Sequence, residues 1–119
     1  MNSEPRDWIS PVLPVGDVRA SSEYLRDKLE FEIEEQCGGD RDWAIVKKGR
    51  SAIVLVPRDW PAGCEIRVAN VDQVFDELTA LGAEFESGPM NQEYGQRDFI
   101  VRVPGGSMIR FWSLLKQDS

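Results

Sequence analysis

The sequence predicts an α+β fold built from two copies of one strand–helix–strand–strand–strand unit, a βαβββ module. The first observation is a hairpin pattern at residues 97–112, where alternating apolar residues flank a Pro-Gly-Gly-Ser turn at 104–107. The second is an earlier copy of that hairpin, because residues 41–56 align with residues 97–112 without a gap. An internal repeat of this length is stronger evidence for the topology than local patterns are, so we expect two similar modules.

The elements before each hairpin also repeat. Asp17 is placed to cap a helix over residues 18–29, and Asn70 is placed to cap a second helix over residues 71–81. Period-two alternation predicts the remaining strands. These are residues 8–15, 31–35, 43–46, 52–56, 64–68 and 83–85, and residues 86–96 are predicted as the longest loop.

The pattern places both modules in one domain. Module one covers about residues 8–57 and module two about residues 63–114, within a single domain of residues 1–119. With 41% hydrophobic and 29% charged residues, a chain of 119 residues can bury a core without disulfide or metal staples.

Histidine is absent from the sequence, and this excludes several kinds of active site. Ser-His and Cys-His nucleophile pairs cannot form, and the commonest general base and metal ligand is missing. Cys37 and Cys64 lack the spacing of a zinc or redox site.

The net charge of −7 and the pI of about 4.6 limit the classes of partner. No basic patch stands out, which argues against a nucleic-acid partner. The acidic balance is compatible with a cationic ligand, or is a solubility feature only. No apolar run approaches the roughly 20 residues that span a bilayer, and the N-terminus has no signal-peptide pattern. We expect a protein of the reducing cytoplasm with free thiols.

Motifs at both ends of the chain carry a resemblance to a known family. They are Leu-Pro-Val-Gly-Asp-Val at 13–18, Tyr-Leu-Arg-Asp-Lys-Leu-Glu-Phe at 24–31, Tyr-Gly-Gln-Arg-Asp-Phe at 94–99, and the Pro-Gly-Gly-Ser turn with Ile-Arg-Phe at 109–111. On these residues the chain resembles the vicinal-oxygen-chelate superfamily, which groups glyoxalase I, extradiol dioxygenases, fosfomycin-resistance enzymes and bleomycin-resistance proteins. The resemblance implies that the two modules form a curved mixed sheet around a cavity.

The family's metal positions are not occupied by metal ligands in this chain. Its metal enzymes place a histidine early in the first strand of each module and a glutamate in the last strand. The matching positions here are Ser10, Gly63, Val54 and Arg110, and an arginine repels a divalent cation. The resemblance therefore implies the metal-independent branch. Its bleomycin-resistance proteins need no cofactor, form homodimers, sequester cationic antibiotics and catalyse nothing.

Strand alternation from these positions predicts which side chains face the cavity. Phe99 and Val101 are predicted to face the cavity if Val103 pairs with Met108 across the last turn. The other inward-facing positions are Ser10, Val12, Pro14, Trp43, Ile45, Val54, Val56, Glu65, Arg67, Met108, Arg110 and Trp112. The candidate ligand-binding residues are Trp43, Glu65, Arg67, Phe99, Arg110 and Trp112.

Two interpretations stay open for these candidates. The three aromatic side chains can stack on a planar ligand, or they can pack in the core or in a dimer contact. Glu65, Arg67 and Arg110 can fix the charge of a polar ligand, or they can form an internal set of salt bridges. The arginines oppose a strongly cationic drug such as bleomycin, whereas the overall acidity favours it.

Two other classes of function also stay open. One is a metal-dependent lyase, isomerase or dioxygenase of the same superfamily with atypical ligands. The other is an interaction subunit whose cavity is vestigial. The sequence favours a small organic molecule as the partner and antibiotic sequestration as the role, with neither nucleic acid nor membrane involved.

Overall fold

The computed structural model describes residues 8–37, 43–93 and 95–115 of the chain. Within these ranges the chain forms eight strands and two helices. They are β1 (Trp8–Val15), α1 (Val18–Leu29), β2 (Glu32–Cys37), β3 (Trp43–Lys48), β4 (Ser51–Pro57), β5 (Gly63–Arg67), α2 (Val71–Ala80), β6 (Phe85–Asn91), β7 (Gln96–Arg102) and β8 (Met108–Leu114). No helix in these ranges is long and apolar enough to cross a membrane.

The chain divides into two compact units. Module one is Ser10–Gly63, and module two runs from Cys64 onward and also includes Trp8 and Ile9, the first two residues of β1. The strand order is β2-β3-β4-β1 in module one and β5-β8-β7-β6 in module two. The pair β1–β4 is parallel, whereas β2–β3, β3–β4, β6–β7 and β7–β8 are antiparallel. The predicted succession of strand, helix and three strands is present twice.

Module one buries one face of its sheet against α1. The helix begins as predicted, because the Asp17 side chain accepts a hydrogen bond of 2.9 Å from the backbone N–H of Ala20. The side chains beneath the helix form the core of this module. They are Val18, Ala44, Val46 and Leu55, with Val15, Leu25, Phe31, Ile33 and Ile53 packed around them.

Module two buries the equivalent face against α2, with an aromatic core. Asn70 caps this helix, since its side chain accepts a 3.1 Å hydrogen bond from the backbone N–H of Gln73. Phe99 is fully buried, and its ring centroid lies 5.1 to 5.6 Å from three other phenylalanine rings. Those rings belong to Phe75, Phe85 and Phe111. Such edge and offset contacts stabilise aromatic pairs beyond simple burial.

The predicted long loop over residues 86–96 is wrong in its first half. The strand β6 runs through Gly88 and Pro89 and pairs with β7. A proline is tolerated there because β6 lies at the edge of the order in module two, where one side needs no backbone donor. The register of the pair shifts twice, between Phe85 and Ser87 and between Ser87 and Met90, as at β-bulges.

The predicted pairing of Val103 with Met108 is also wrong, and it changes the face of β7. Met108 pairs with Arg102, so Phe99 lies opposite Phe111, and Ile100 lies opposite Arg110. Because a one-residue slip reverses every side chain of a strand, Phe99 and Val101 face the helix and belong to the core. Phe99 therefore does not lie on the predicted ligand face.

The two hairpins differ in the loop that joins their strands. In module one Lys48 pairs with Ser51 across Gly49 and Arg50, whereas in module two the loop spans residues 103–107. Although the two hairpin sequences align without a gap, the pairing of their strands differs by one residue. The difference lies in the first strand of each hairpin, which is β3 in module one and β7 in module two. In module one the predicted faces hold, since Ile45 pairs with Val54 and both lie opposite the face that packs on α1.

Candidate functional site

Four of the six candidate residues lie on the face of module two that is opposite α2, called here the helix-free face. Glu65 and Arg67 project from β5, and Arg110 and Trp112 project from the adjacent strand β8. Alternate residues of a strand share a face, which explains why each pair is spaced by two positions. These four side chains form the candidate site.

Arg110 is the centre of this site. Its Nε donates a 2.6 Å hydrogen bond to Oδ2 of Asp98, and its Nη2 donates to the side-chain oxygen of Gln96. Its Nη1 lies 3.3 Å from Oε1 of Glu65. Side chains from the two strands that flank β8, namely β5 and β7, therefore hold one guanidinium in place.

Asp98 is the strongest partner of Arg110, and the sequence did not mark it as a site residue. It is only 4% exposed, and it also accepts a 2.9 Å hydrogen bond from Nε2 of Gln92. A buried carboxylate is costly unless it is paired and hydrogen-bonded, and both conditions are met here. The Arg-Asp pair at residues 97–98 was a visible signal, but the predicted register turned Asp98 away from this face.

Trp112 lies beside two guanidinium groups. The central carbon of Arg67 lies 5.4 Å from the ring centroid, and that of Arg110 lies 5.8 Å from it. Both distances fall within the range of cation–π interactions. The backbone of Trp112 is fixed as well, because its carbonyl accepts a 2.8 Å hydrogen bond from the N–H of Val68. The indole and the guanidinium planes can provide flat surfaces for a planar molecule.

The other two aromatic candidates are not part of this cluster. Phe99 is enclosed by the core under α2. Trp43 lies in module one, on the face opposite α1, since its neighbour Ala44 is buried in the core on the helix side. The structure therefore brings together Glu65, Arg67, Arg110 and Trp112, and it adds Asp98, Gln92 and Gln96 to them.

The carboxylates of the site do not fit a divalent metal ion. Those of Glu65 and Asp98 are both directed to Arg110, whose positive charge opposes a second cation. In the part of the chain that the structure describes, no three histidine, cysteine, aspartate or glutamate side chains are grouped so that they could hold one. The charged side chains at this face form an ion-pair cluster and not a metal site.

A separate groove of about 600 Å³ lies near the loop between β7 and β8. It is bordered by residues 82–84 and 101–106, and none of the six candidate residues lines it. Its lining consists mostly of glycine and apolar residues, with Glu84 and Arg102 as the charged ones. We therefore locate the candidate site at Arg110 and not at this groove.

Burial raises the pKa of the Glu65 carboxyl above its ordinary value of 4.5, although Arg110 acts in the opposite direction and Asp98 adds to the rise. The folded protein then binds a proton more readily than the unfolded chain. The contribution of Glu65 to stability is therefore most favourable when it is protonated, and it declines as pH rises from 4.5 through the raised pKa.

Replacing Glu65 with glutamine is expected to remove this decline. Urea unfolding of both proteins between about pH 4 and pH 8 should show the variant gaining stability relative to the parent as pH rises. Asp72→Asn is the control of opposite sign, because a hydrogen bond from Arg97 lowers the pKa of Asp72 below its ordinary value of 3.8. Within this range the stability deficit of Asp72→Asn should stay constant, and it should decline only when the measurement is extended below pH 3.8. A parallel pH dependence of Glu65→Gln and its parent would contradict the assignment.

Comparison with known proteins gives a family match over most of the chain. The family model described as Glyoxalase/Bleomycin resistance protein/Dioxygenase superfamily matches residues 7–111. Proteins named bleomycin resistance protein, from Geobacillus stearothermophilus and from Staphylococcus aureus, are each 25% identical to this chain over 127 aligned positions. The alignments cover 89% of this chain and 96% of each relative.

Solved structures share the fold at low identity. A glyoxalase/bleomycin resistance protein/dioxygenase superfamily member from Vibrio splendidus superposes with a TM-score of 0.74 at 18% identity, covering 91% of this chain and 99% of that one. A Streptomyces coelicolor methylmalonyl-CoA epimerase, in complex with 2-nitronate-propionyl-CoA, gives 0.67 at 16% identity, with 93% and 94% covered. These likenesses confirm the predicted α+β fold class.

Proposed function

The chain belongs to the glyoxalase/bleomycin resistance protein/dioxygenase superfamily, and from this premise we propose that it binds a small organic molecule without a metal ion. The observation that carries the proposal is the environment of Arg110. This side chain stands at the last-strand position where the resemblance predicts a metal-binding glutamate. Two carboxylates, Glu65 and Asp98, hold the guanidinium there.

The ion-pair cluster supports a binding role because it makes the face rigid and polar without creating a metal site. Arg110 is only 16% exposed and is bonded from two other strands, so the neighbouring side chains are held in defined positions. Preorganised contacts of this kind reduce the entropy cost of ligand binding. Trp112 and Arg67 then supply flat surfaces for the planar part of a ligand.

The proposed ligand is a bleomycin-type antibiotic, and the proposed role is its sequestration in the cytoplasm by a homodimer. Support for the antibiotic comes from relatives named bleomycin resistance protein at 25% identity. Support for the homodimer comes from the family resemblance of the sequence. The proposed ligand contacts are Glu65, Arg67 and Trp112 of module two, with Arg110 as their support. Trp43 of module one stays a separate prediction from the sequence.

A calorimetric titration of the metal-free protein with metal-free bleomycin tests this function. We expect saturable heat at about one drug molecule per chain, together with a rise in melting temperature, because a ligand that binds the folded state stabilises it. The response of tryptophan fluorescence should disappear in Trp112→Phe and persist in Trp60→Phe, since Trp60 lies outside the cluster on an exposed turn.

The opposite results would favour a different function or a different site. Absence of heat and of stabilisation would contradict a bleomycin-binding role. Stabilisation by nickel, zinc, manganese or iron at a stoichiometric level would favour a metal-dependent lyase, isomerase or dioxygenase instead. Loss of the fluorescence response in Trp60→Phe rather than in Trp112→Phe would contradict the placement of the site.

A further inference from the structure

The helix-free face of module two carries an exposed apolar side chain, Met90, that lies outside the candidate residues of the sequence. Met90 belongs to β6, the strand at the edge of this module, and it is 47% exposed. Its register partner on β7 is Asp98, and directly paired residues of antiparallel strands project to the same face. Met90 therefore shares the face that presents Arg110 and Trp112.

Asp98 separates Met90 from Trp112 along one row of the sheet. The register partner of Asp98 on its other side is Trp112 of β8. Neighbouring strands are spaced by about 4.8 Å, so two spacings place the backbones of Met90 and Trp112 about 10 Å apart. The row is thus apolar at β6, charged at β7 and apolar at β8.

The charged middle of this row is fixed in place. Asp98 is almost fully buried, and its two carboxylate oxygens accept hydrogen bonds from Gln92 and Arg110 respectively. Because those donors hold the carboxylate between the two apolar side chains, Met90 and Trp112 keep their separation. A molecule that contacts both of them has to span the ion pair.

The two apolar ends of the row suit different chemical groups. The indole of Trp112 is flat and has the Arg67 guanidinium beside it, so it favours an aromatic ring. Methionine is unbranched and flexible, so Met90 can fit apolar groups of varied shape. The part of a ligand that crosses Asp98 and Arg110 has to be polar, because covering these groups with apolar atoms costs desolvation free energy.

We propose that Met90 and Trp112 form a two-point binding site for elongated molecules. Such a ligand carries an aromatic group for Trp112, a second apolar group about 10 Å away for Met90, and an amide- or urea-type linker between them. This inference rests on the proposed small-molecule binding function. It adds to that function the length of the ligand, the polarity of its middle, and a contact on β6.

Two neutral probes separate the two contacts: N,N′-dibenzylurea carries a ring at each end, whereas N-benzylurea carries one ring. The rings of the extended dibenzylurea lie about 10 Å apart. Titrations followed through backbone amide signals give a dissociation constant for each probe. We expect dibenzylurea to shift signals of both β6 and β8 and to bind on the order of tenfold more tightly, since linked contacts reinforce each other. Benzylurea should shift the signals of β8 and leave those of β6 in place.

Met90→Gln removes the second apolar contact with little change in side-chain length. Because Met90 is an exposed side chain, the variant should fold as the parent does. The advantage of dibenzylurea should then fall to about twofold, the statistical factor for a molecule with two equal rings. Leu81→Gln is the matched control, since Leu81 is an exposed apolar residue at the end of α2 and its replacement should leave the advantage unchanged.

The other outcomes would overturn the two-point site. An advantage for dibenzylurea that survives in Met90→Gln would do so, as would an equal loss of that advantage in Leu81→Gln. Equal affinities of the two probes for the parent protein would also overturn it, while the binding function would stand. Signals of β6 and β8 that neither probe shifts would reject the two-point site, and they would refute the binding function as well if bleomycin also gave no heat.

Discussion

Replacing Arg110 with methionine is expected to lower the free energy of unfolding by about 3 kcal/mol, because it leaves the Asp98 charge buried and unpaired. Asp98 is only 4% exposed, and its remaining side-chain donor would be the neutral amide of Gln92. Methionine keeps most of the length of the arginine stem, so the loss of charge is separated from the loss of packing. Urea denaturation at neutral pH measures the change.

Arg97→Met is the matched control for this effect. Arg97 lies on β7 and forms a pair with Asp72 at 2.9 Å, but the side chains are 32% and 56% exposed. An exposed pair contributes little, so we expect a loss below about 1 kcal/mol. Adding Asp98→Asn to Arg110→Met should restore part of the lost stability, since the uncompensated charge is then removed. Equal losses for the two arginine variants, or no recovery in the double variant, would contradict this account.

Replacing Phe99 with alanine is expected to cost about 3 to 5 kcal/mol, which is the range for removing a large aromatic side chain from a core. Phe99 is fully buried, and its ring contacts those of Phe75, Phe85 and Phe111. The truncation therefore removes contacts on several sides and opens a cavity that the surrounding rings fill only in part. Thermal or urea unfolding measures the loss.

The neighbouring residue gives the control, because consecutive residues of a strand face opposite sides of the sheet. Ile100 pairs with Arg110 and lies on the helix-free face, where it is only partly buried. Ile100→Ala should cost clearly less stability than Phe99→Ala. If Phe99→Ala instead retained full stability and lost ligand binding, the register of β7 would be the one that the sequence predicts, and the observed pairing would be wrong.

The helices were predictable from the sequence because their signals are local. Asp17 and Asn70 cap their helices with side chains that reach only three residues along the chain. The faces of β5 and β8 were predictable because period two relates residues of one strand. Glu65, Arg67, Arg110 and Trp112 therefore gather as the alternation indicates.

Features that depend on pairing between strands were not predictable in the same way. The face of β7 depends on which residue opposes Met108, and this depends on the conformation of the loop over residues 103–107. The strand β6 was predicted as a loop because Gly88 and Pro89 weaken the local pattern, whereas pairing with β7 holds the segment extended. Asp98, Gln92 and Gln96 were missed for this reason, since their role arises only after β7 is aligned beside β8.

The loop of the second hairpin has a consequence for how a duplicated module can acquire new chemistry. Residues 43 and 99 are matched in the two copies, yet Trp43 lies opposite α1, whereas Phe99 packs under α2. The shift that buries Phe99 is the same shift that turns Asp98 toward Arg110. A one-residue difference in the pairing of the two hairpin strands thus places an acidic residue where the other module has an aromatic one, while the fold stays intact. Diversification of a repeated scaffold can therefore begin in its turns, before any residue of the site itself is replaced.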